Sequence, residues 1–224
     1  MAITFVGSGD AATINGGDPT ITLPSMLQDD LVVVVAGDSQ QLATVGFTTA
    51  GYTTFISGLQ HSGSGPILWA GYKFMGASPD ASVQVSNNSG STHSCSAVAL
   101  VFRGVDLTTP LDATTTTTDG TSTNPDSPSI TTVNGGVVMS AFTSEVLDAS
   151  VTMPSGYSDQ IDESADDNND IVTGAAWKAV GAATAEDPAS WTNVSSGAWI
   201  AISIALREAA GGGGAVTRTF GFIF

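Results

Sequence analysis

With 224 residues, 42% of them hydrophobic, the chain is long enough to bury a substantial core, which excludes a disordered tail. Only 12% of residues are charged, so the polar surface falls largely to Ser, Thr, Asn and Gly, a mixture suited to strands and turns rather than helices. Five basic residues, Lys73, Arg103, Lys178, Arg207 and Arg218, against 21 acidic ones give a formal charge of -16, which repels phosphate-rich surfaces and leaves neither nucleic acid nor membrane as an expected partner.

Such acidity serves solubility and protection against self-association, or adaptation to a salty or cation-rich medium. The opening stretch, "MAITFVGSGD", has no positive region and no apolar one, and no apolar run in the chain reaches the roughly 20 residues of a membrane span. The expectation is a protein made and folded in a cytoplasm. The single cysteine, Cys95, precludes an intrachain disulfide and fits a reducing compartment.

In chain order, the first clear element is Leu31 to Ala36, a continuous apolar run of strand length, as in a strand buried on both faces. Gly51 and Tyr52 read as a turn followed by a strand start, and His61 sits in a Gly/Ser loop, "QHSGSGP". Ile67 to Met75 is a longer strand stopped by Gly76. Within it Tyr72 and Lys73 are neighbours, so one points inward and the other outward: an aromatic anchor beside a solvated cation, or an aromatic and cation aimed at a ligand. His93 and Cys95 have a spacing that offers two metal ligands, but no second Cys and no nearby His completes a tetrahedral site. The simpler reading is a partly exposed strand His beside a buried Cys. Val98 to Phe102 closes this half, with Arg103 just past it.

A Thr-rich segment, "DATTTTTDGTSTNPDSPS" (Asp112 to Ser129), favours an extended edge strand and then turns. After it come an apolar run at Gly136 to Ala141, a second Gly-Tyr pair at Gly156 and Tyr157, a strand from Ile171 to Val180 that carries Trp177 and Lys178, and a strand from Ile200 to Leu206 before Arg207. Stacking of sugars on the two tyrosines of the Gly-Tyr pairs is the ligand alternative to their role as strand starts. No amphipathic helix stands out.

The halves repeat one another. "DDLVVVVAG" matches "NGGVVMSAF", "TAGYTTF" matches "PSGYSDQ" and "AGYKFMGA" matches "AAWKAVGA", each at an offset of 105; "SCSAVALVFRG" matches "AWIAISIALRE" at 104 and sets Arg103 opposite Arg207. The expected fold is therefore all-β, antiparallel and β-sandwich or jelly-roll-like, built from two repeats of about 105 residues: a first β-sandwich repeat over residues 1–104, a second over 105–209, and a Gly-rich tether with an anchoring strand over 210–224.

Two stretches remain. "SDQIDESADDNND" (Ser158 to Asp170) reads as an acidic loop between strands. The simpler reading is a solvated loop, and no cofactor is expected of this chain; the alternative is a calcium site to which Asp159, Asp162, Asp166, Asp167 and Asp170 could supply oxygens, although the EF-hand spacing is absent. At the end, Gly211 to Gly214 form a flexible tether before "AVTRTFGFIF", in which Phe220, Phe222 and Phe224 alternate. In an extended strand their rings share one face. With Ile223 they form the expected partner-binding anchor, added as a strand to a neighbouring protein.

Together, "DDLV", "PSGY", the Tyr-Lys and Trp-Lys pairs, "ALVFRGVD", "TPLDA", "PSITT", "GGVVMS" and "ALR" resemble a family of duplicated β-sandwich proteins found among tailed-phage virion genes, as decoration or tail-associated proteins, and among bacterial surface proteins. The resemblance spans about residues 3 to 208, and "FRGVDLTTPLDA" (Phe102 to Ala113) is its most distinctive part. It implies a non-enzymatic module with no catalytic residues to carry over. The bare inventory agrees: two histidines offer little for nucleophilic catalysis, and paired carboxylates without aromatic platforms make a poor glycosidase. The expected role is a structural component of a tailed-phage virion, either a head decoration or cement protein or a tail adaptor or fibre element. Its partners would be other virion proteins and copies of itself in a homo-oligomer, and its location the virion, assembled in the host cytoplasm. The alternative role is a carbohydrate-binding module on a phage tail fibre or bacterial surface.

Overall fold

The computed structural model describes residues 2–39, 45–62, 65–87, 93–146, 151–166, 170–192 and 195–210, and there the β-branched and aromatic runs become strands punctuated by Gly and Pro. The first half holds β1 (Thr4–Thr13), β2 (Thr20–Thr22), β3 (Leu31–Asp38), β4 (Val45–Phe47), β5 (Thr53–Gln60), β6 (Ile67–Phe74), β7 (Ser82–Asn87) and β8 (Cys95–Arg103). The second holds β9 (Thr116–Ser122), β10 (Ile130–Thr131), β11 (Gly136–Ser144), β12 (Ser158–Ala165), β13 (Ile171–Val180), β14 (Ala185–Glu186) and β15 (Gly197–Arg207). Among the described residues there is no helix.

Each half makes one large antiparallel sheet, ordered β1-β8-β3-β6-β5 in the first and β12-β13-β11-β15-β9 in the second. Counted from the opposite edge, the second order is β9-β15-β11-β13-β12, so every strand has a counterpart in the same place. The apolar runs β3 and β11 are both central, each flanked by two strands. A small sheet, β2-β7-β4, belongs to the first half and a two-stranded ribbon, β10-β14, to the second.

The two large sheets stack face to face as an antiparallel sandwich with their orders reversed: β1 lies against β12, β8 against β13, and β3 against β11. Strand alternation explains how one run serves two cores. Leu31, Val33 and Val35 point into the central core, where they meet Val137, Met139, Ile202 and Leu206 of the other sheet. Val32, Val34 and Ala36 point outward and are covered by Ile21, Val83 and Val85 of the small sheet. On the far side Trp191, Tyr157 and Val151 cover the second sheet over Val138 and Phe142. Each of these fully buried large side chains contributes roughly 1.5–3 kcal/mol.

Strands run past the apolar stretches where polar side chains satisfy one another. At one end Ser96 Oγ lies 2.7 Å from Thr173 Oγ1, and Thr173 also reaches Thr143, which joins the sheets through a buried hydroxyl layer. Gly37 makes room for it, since a Cβ there would run into Thr143 Oγ1. This layer carries β8 back to Cys95 and β3 on to Asp38. His93 lies before β8 rather than on it.

One expectation fails clearly. Ser158 to Ala165, read as part of an acidic loop, is the edge strand β12, paired with β13 from Ile161 to Ala165. Ile161 is buried in the central core and Ala165 is buried as well, so two apolar positions outweigh the charges between them. A bulge between Ser158 and Ile161, with Asp159 at φ 51°, re-aims the strand start.

Candidate functional site

The most elaborately built surface lies at the end of the sandwich where β8 and β15 finish. Arg103 Nε and Nη2 donate to the two carboxylate oxygens of Asp30 at 2.7 and 2.8 Å, and Asp30 Oδ2 also accepts the Leu27 N–H at 2.7 Å. The Asp30 carboxylate is wholly buried while Arg103 stays partly wet, a bidentate pair that caps the first half.

The second half reaches the same result by another route. Asp112, also fully buried, accepts N–H bonds from Val133 at 2.6 Å and Asn134 at 2.8 Å, the Asn134 side-chain amide at 2.8 Å, and Arg207 Nε at 3.3 Å. Burial alone would push its carboxyl up, but these donors outweigh burial and hold it below the ordinary value. Asp106 accepts the Thr108 hydroxyl and the N–H groups of Thr109 and Thr108, which lowers it to about 2. Thr109 in turn accepts Arg207 Nη1 at 2.7 Å, and Val105 bridges to Glu208. The distinctive stretch "FRGVDLTTPLDA" is therefore the scaffold of this pole, joining the ends of both halves.

On that scaffold apolar side chains are left in the open. Leu27 (60% exposed), Leu107 (54%) and Val133 (62%) all stand at this pole, whereas Ile14 (45%) is the other exposed large hydrophobic among the described residues. Leu27 and Leu107 flank a cleft of about 310 Å³ whose walls include Asp29, Arg103, Val105 and Ala209. Beside it lies a more polar cleft of about 360 Å³ formed by Asp106, Asn134, Arg207, Glu208, Ala209 and Ala210. Ala209 is a wall of both, and Ala210 is the last described residue before Gly211.

The residues singled out from sequence fall elsewhere. Tyr72 and Trp177 pack against the central core. On the outer faces Lys73 Nζ bonds Asp80 at 2.6 Å with the Tyr52 ring 5.6 Å away, and Lys178 Nζ bonds Glu186 at 2.8 Å with the Tyr157 ring 6.0 Å away. These matched trios fasten the flanks of the sandwich. Burial, with help from Asp80 and Glu186, pushes both phenols up. All three tyrosines and all four tryptophans are buried or half-buried. Cys95 is buried, and burial, Asp38 and Asp18 push its thiol up. His61 Nε2 lies 3.0 Å from the Gly120 carbonyl oxygen; neighbouring Ser62 gives its hydroxyl to Asp119, which ties the end of β5 to β9.

Of the acidic set, Asp159 accepts the indole N–H of Trp177 at 2.9 Å, on the side of the central core. Asp162 accepts from Gln160, whose amide also holds Val151 and Met153 on the outer side. The two carboxylates thus serve opposite faces of the sheet. Asp166 is exposed, Asp170 half-buried, and Asp167 lies outside the described residues. Among the described residues no group of three ligand-type side chains comes together to hold a metal. Phe220, Phe222, Ile223 and Phe224 also lie outside the described residues. Sequence reasoning missed Leu27, Leu107 and Val133, and the available signal was slight: lone apolar residues in turn segments, without strand period.

Compared with known proteins, the chain matches no family model, no curated protein and no solved structure at a significant level.

Proposed function

We propose that this chain is a structural component of a tailed-phage virion, a head decoration or cement protein or a tail adaptor or fibre element, which works by assembly and not by catalysis. The observation that carries the reading is the pole built by "FRGVDLTTPLDA": three exposed apolar side chains gathered on an otherwise acidic protein, at the point where the chain continues toward Phe220, Phe222 and Phe224. Clustered exposed hydrophobics are a feature of interaction surfaces, and the net charge of -16 keeps the unassembled subunit soluble. The sequence resemblance to duplicated virion sandwiches suggests the particle, and a Ser/Thr/Gly-rich surface fits an object exposed outside the cell. Its partners are other virion proteins and copies of itself.

A carbohydrate-binding module gains nothing from this geometry, because sugar platforms need open aromatic faces and every Tyr and Trp here is at least half-buried. A glycan array with the isolated protein, run beside incorporation into particles assembled in its presence, separates the two. Incorporation without glycan binding supports assembly; saturable binding to one glycan class overturns it.

A further inference from the structure

We infer that the apolar cleft between Leu27 and Leu107 receives the segment Ala215–Phe224 of a second copy of this chain, so that two copies meet pole to pole and exchange these segments. The inference rests on the assembly reading above and names its partner.

Position comes first. The segment sets out from the pole itself, because Ala209 lines both clefts and only Ala210 and four glycines separate it from Ala215. Those glycines have a root-mean-square span of about 11 Å, enough to cross between two facing surfaces. To fill the cleft beside its own root, the segment would have to double back within the tether. Running onward, ten extended residues cover about 33 Å and carry their rings over the facing pole.

Chemistry agrees. The cleft offers Leu27, Val105, Leu107 and Ala209 to an incoming ring, and alternate phenylalanines present rings on one side of an extended segment. Residues 1–210 hold all 21 acids and four of the five bases, a net charge of 4 − 21 = −17, while residues 211–224 carry only Arg218. Two bodies of that charge repel one another, and the clefts are edged by Asp29, Asp106 and Glu208 beside Arg103 and Arg207, which are already paired with Asp30 and Asp112. An arginine delivered from each side offsets part of that repulsion. Reciprocal exchange is isologous and therefore closes at two copies.

The test compares the full chain with a chain ending at Gly214, using sedimentation velocity over a concentration series. A carrier-fused peptide of Ala215–Phe224 is then titrated onto the truncated protein. The full chain should dimerise and the truncated chain should not. The peptide should bind, and Leu107→Asp should weaken it about tenfold or more without altering the circular dichroism melt, since Leu107 is exposed. Leu27→Ser should act in the same direction. A full chain that stays monomeric, a dimer that survives truncation, or peptide binding indifferent to Leu27 and Leu107 each overturns the inference. A monomeric full chain that binds added peptide only once truncated assigns the cleft to the chain's own segment instead. None of these readouts involves particles, so their failure is distinct from failure of the virion reading.

Discussion

Arg207 bonds the buried carboxylate of Asp112, 95 residues earlier in the chain, although the residue that matches Arg103's partner Asp30 at the repeat offset is Gly135. The second half thus draws its capping carboxylate from the Thr-rich connection. That carboxylate also fastens the turn at Val133 to Gly135, which Asp30 has no occasion to do.

Replacement of Asp112 by Ala should therefore be the more damaging of the two changes. It strands several N–H donors, which Asp30→Ala does to a lesser extent, and the expected loss is about 3 kcal/mol. Asp30→Ala leaves Arg103 free to turn to water and should cost less. Urea unfolding of both variants checks the order.

The same carboxylates fix the response to acid. Asp112 and Asp119 lie below their ordinary values in the folded state, the latter through the Ser62 N–H and hydroxyl, and Asp106 lies at about 2. A depressed carboxyl contributes stability above its unfolded value near 3.9 and loses it as pH falls through the folded value. Glu163 is pushed up by burial, Asp10 and Asp162, and Glu145 by burial against the pull of His61. For these two the sign reverses: their ionisation costs the folded state, and protonation relieves that cost. Melting temperature should rise modestly from neutral pH to about 5 and fall steeply below about 4. Glu163→Gln should flatten the first limb. A monotonic fall from neutral pH would show that these half-buried glutamates do not govern it.

Where a sequence run had one physical task, it was legible. Leu31 to Ala36 is apolar throughout because both faces are buried, and Ile171 to Val180 occupies the expected span. The matched segments fall on β3 and β11, β6 and β13, and β8 and β15, which hold corresponding places in the two large sheets. β12 was hidden because an edge strand needs few apolar residues, and Ile161 and Ala165 sit among carboxylates that dominate any composition window. The exposed pole was hidden for a different reason. Leu27, Leu107 and Val133 are far apart in sequence, and only the ends of β8 and β15 bring them to one surface.

Calcium should leave the melting temperature unchanged, and excess chelator likewise. Asp159 is engaged with Trp177 and Asp162 with Gln160 on opposite faces of β12, so an ion could gather both only by breaking the edge strand. A rise on adding calcium that disappears in the variant Asp166→Asn, Asp167→Asn would restore the cation site to the acidic stretch.

Removal of Ala215–Phe224 should leave the sandwich folded, because each described core is completed by residues before Ala210. At low protein concentration the full and truncated chains should melt at the same temperature. As concentration rises, the full chain alone should gain stability, since association of folded copies stabilises by mass action. The substitutions Phe220→Ser and Phe222→Ser together should abolish that gain, whereas Arg218→Gln should weaken it and make it less sensitive to salt. In particles, the truncated chain should fail to incorporate while remaining soluble and folded. A lower melting temperature for the truncated chain at every concentration would instead place the segment in the protein's own core, and normal incorporation would remove the anchor from the proposal.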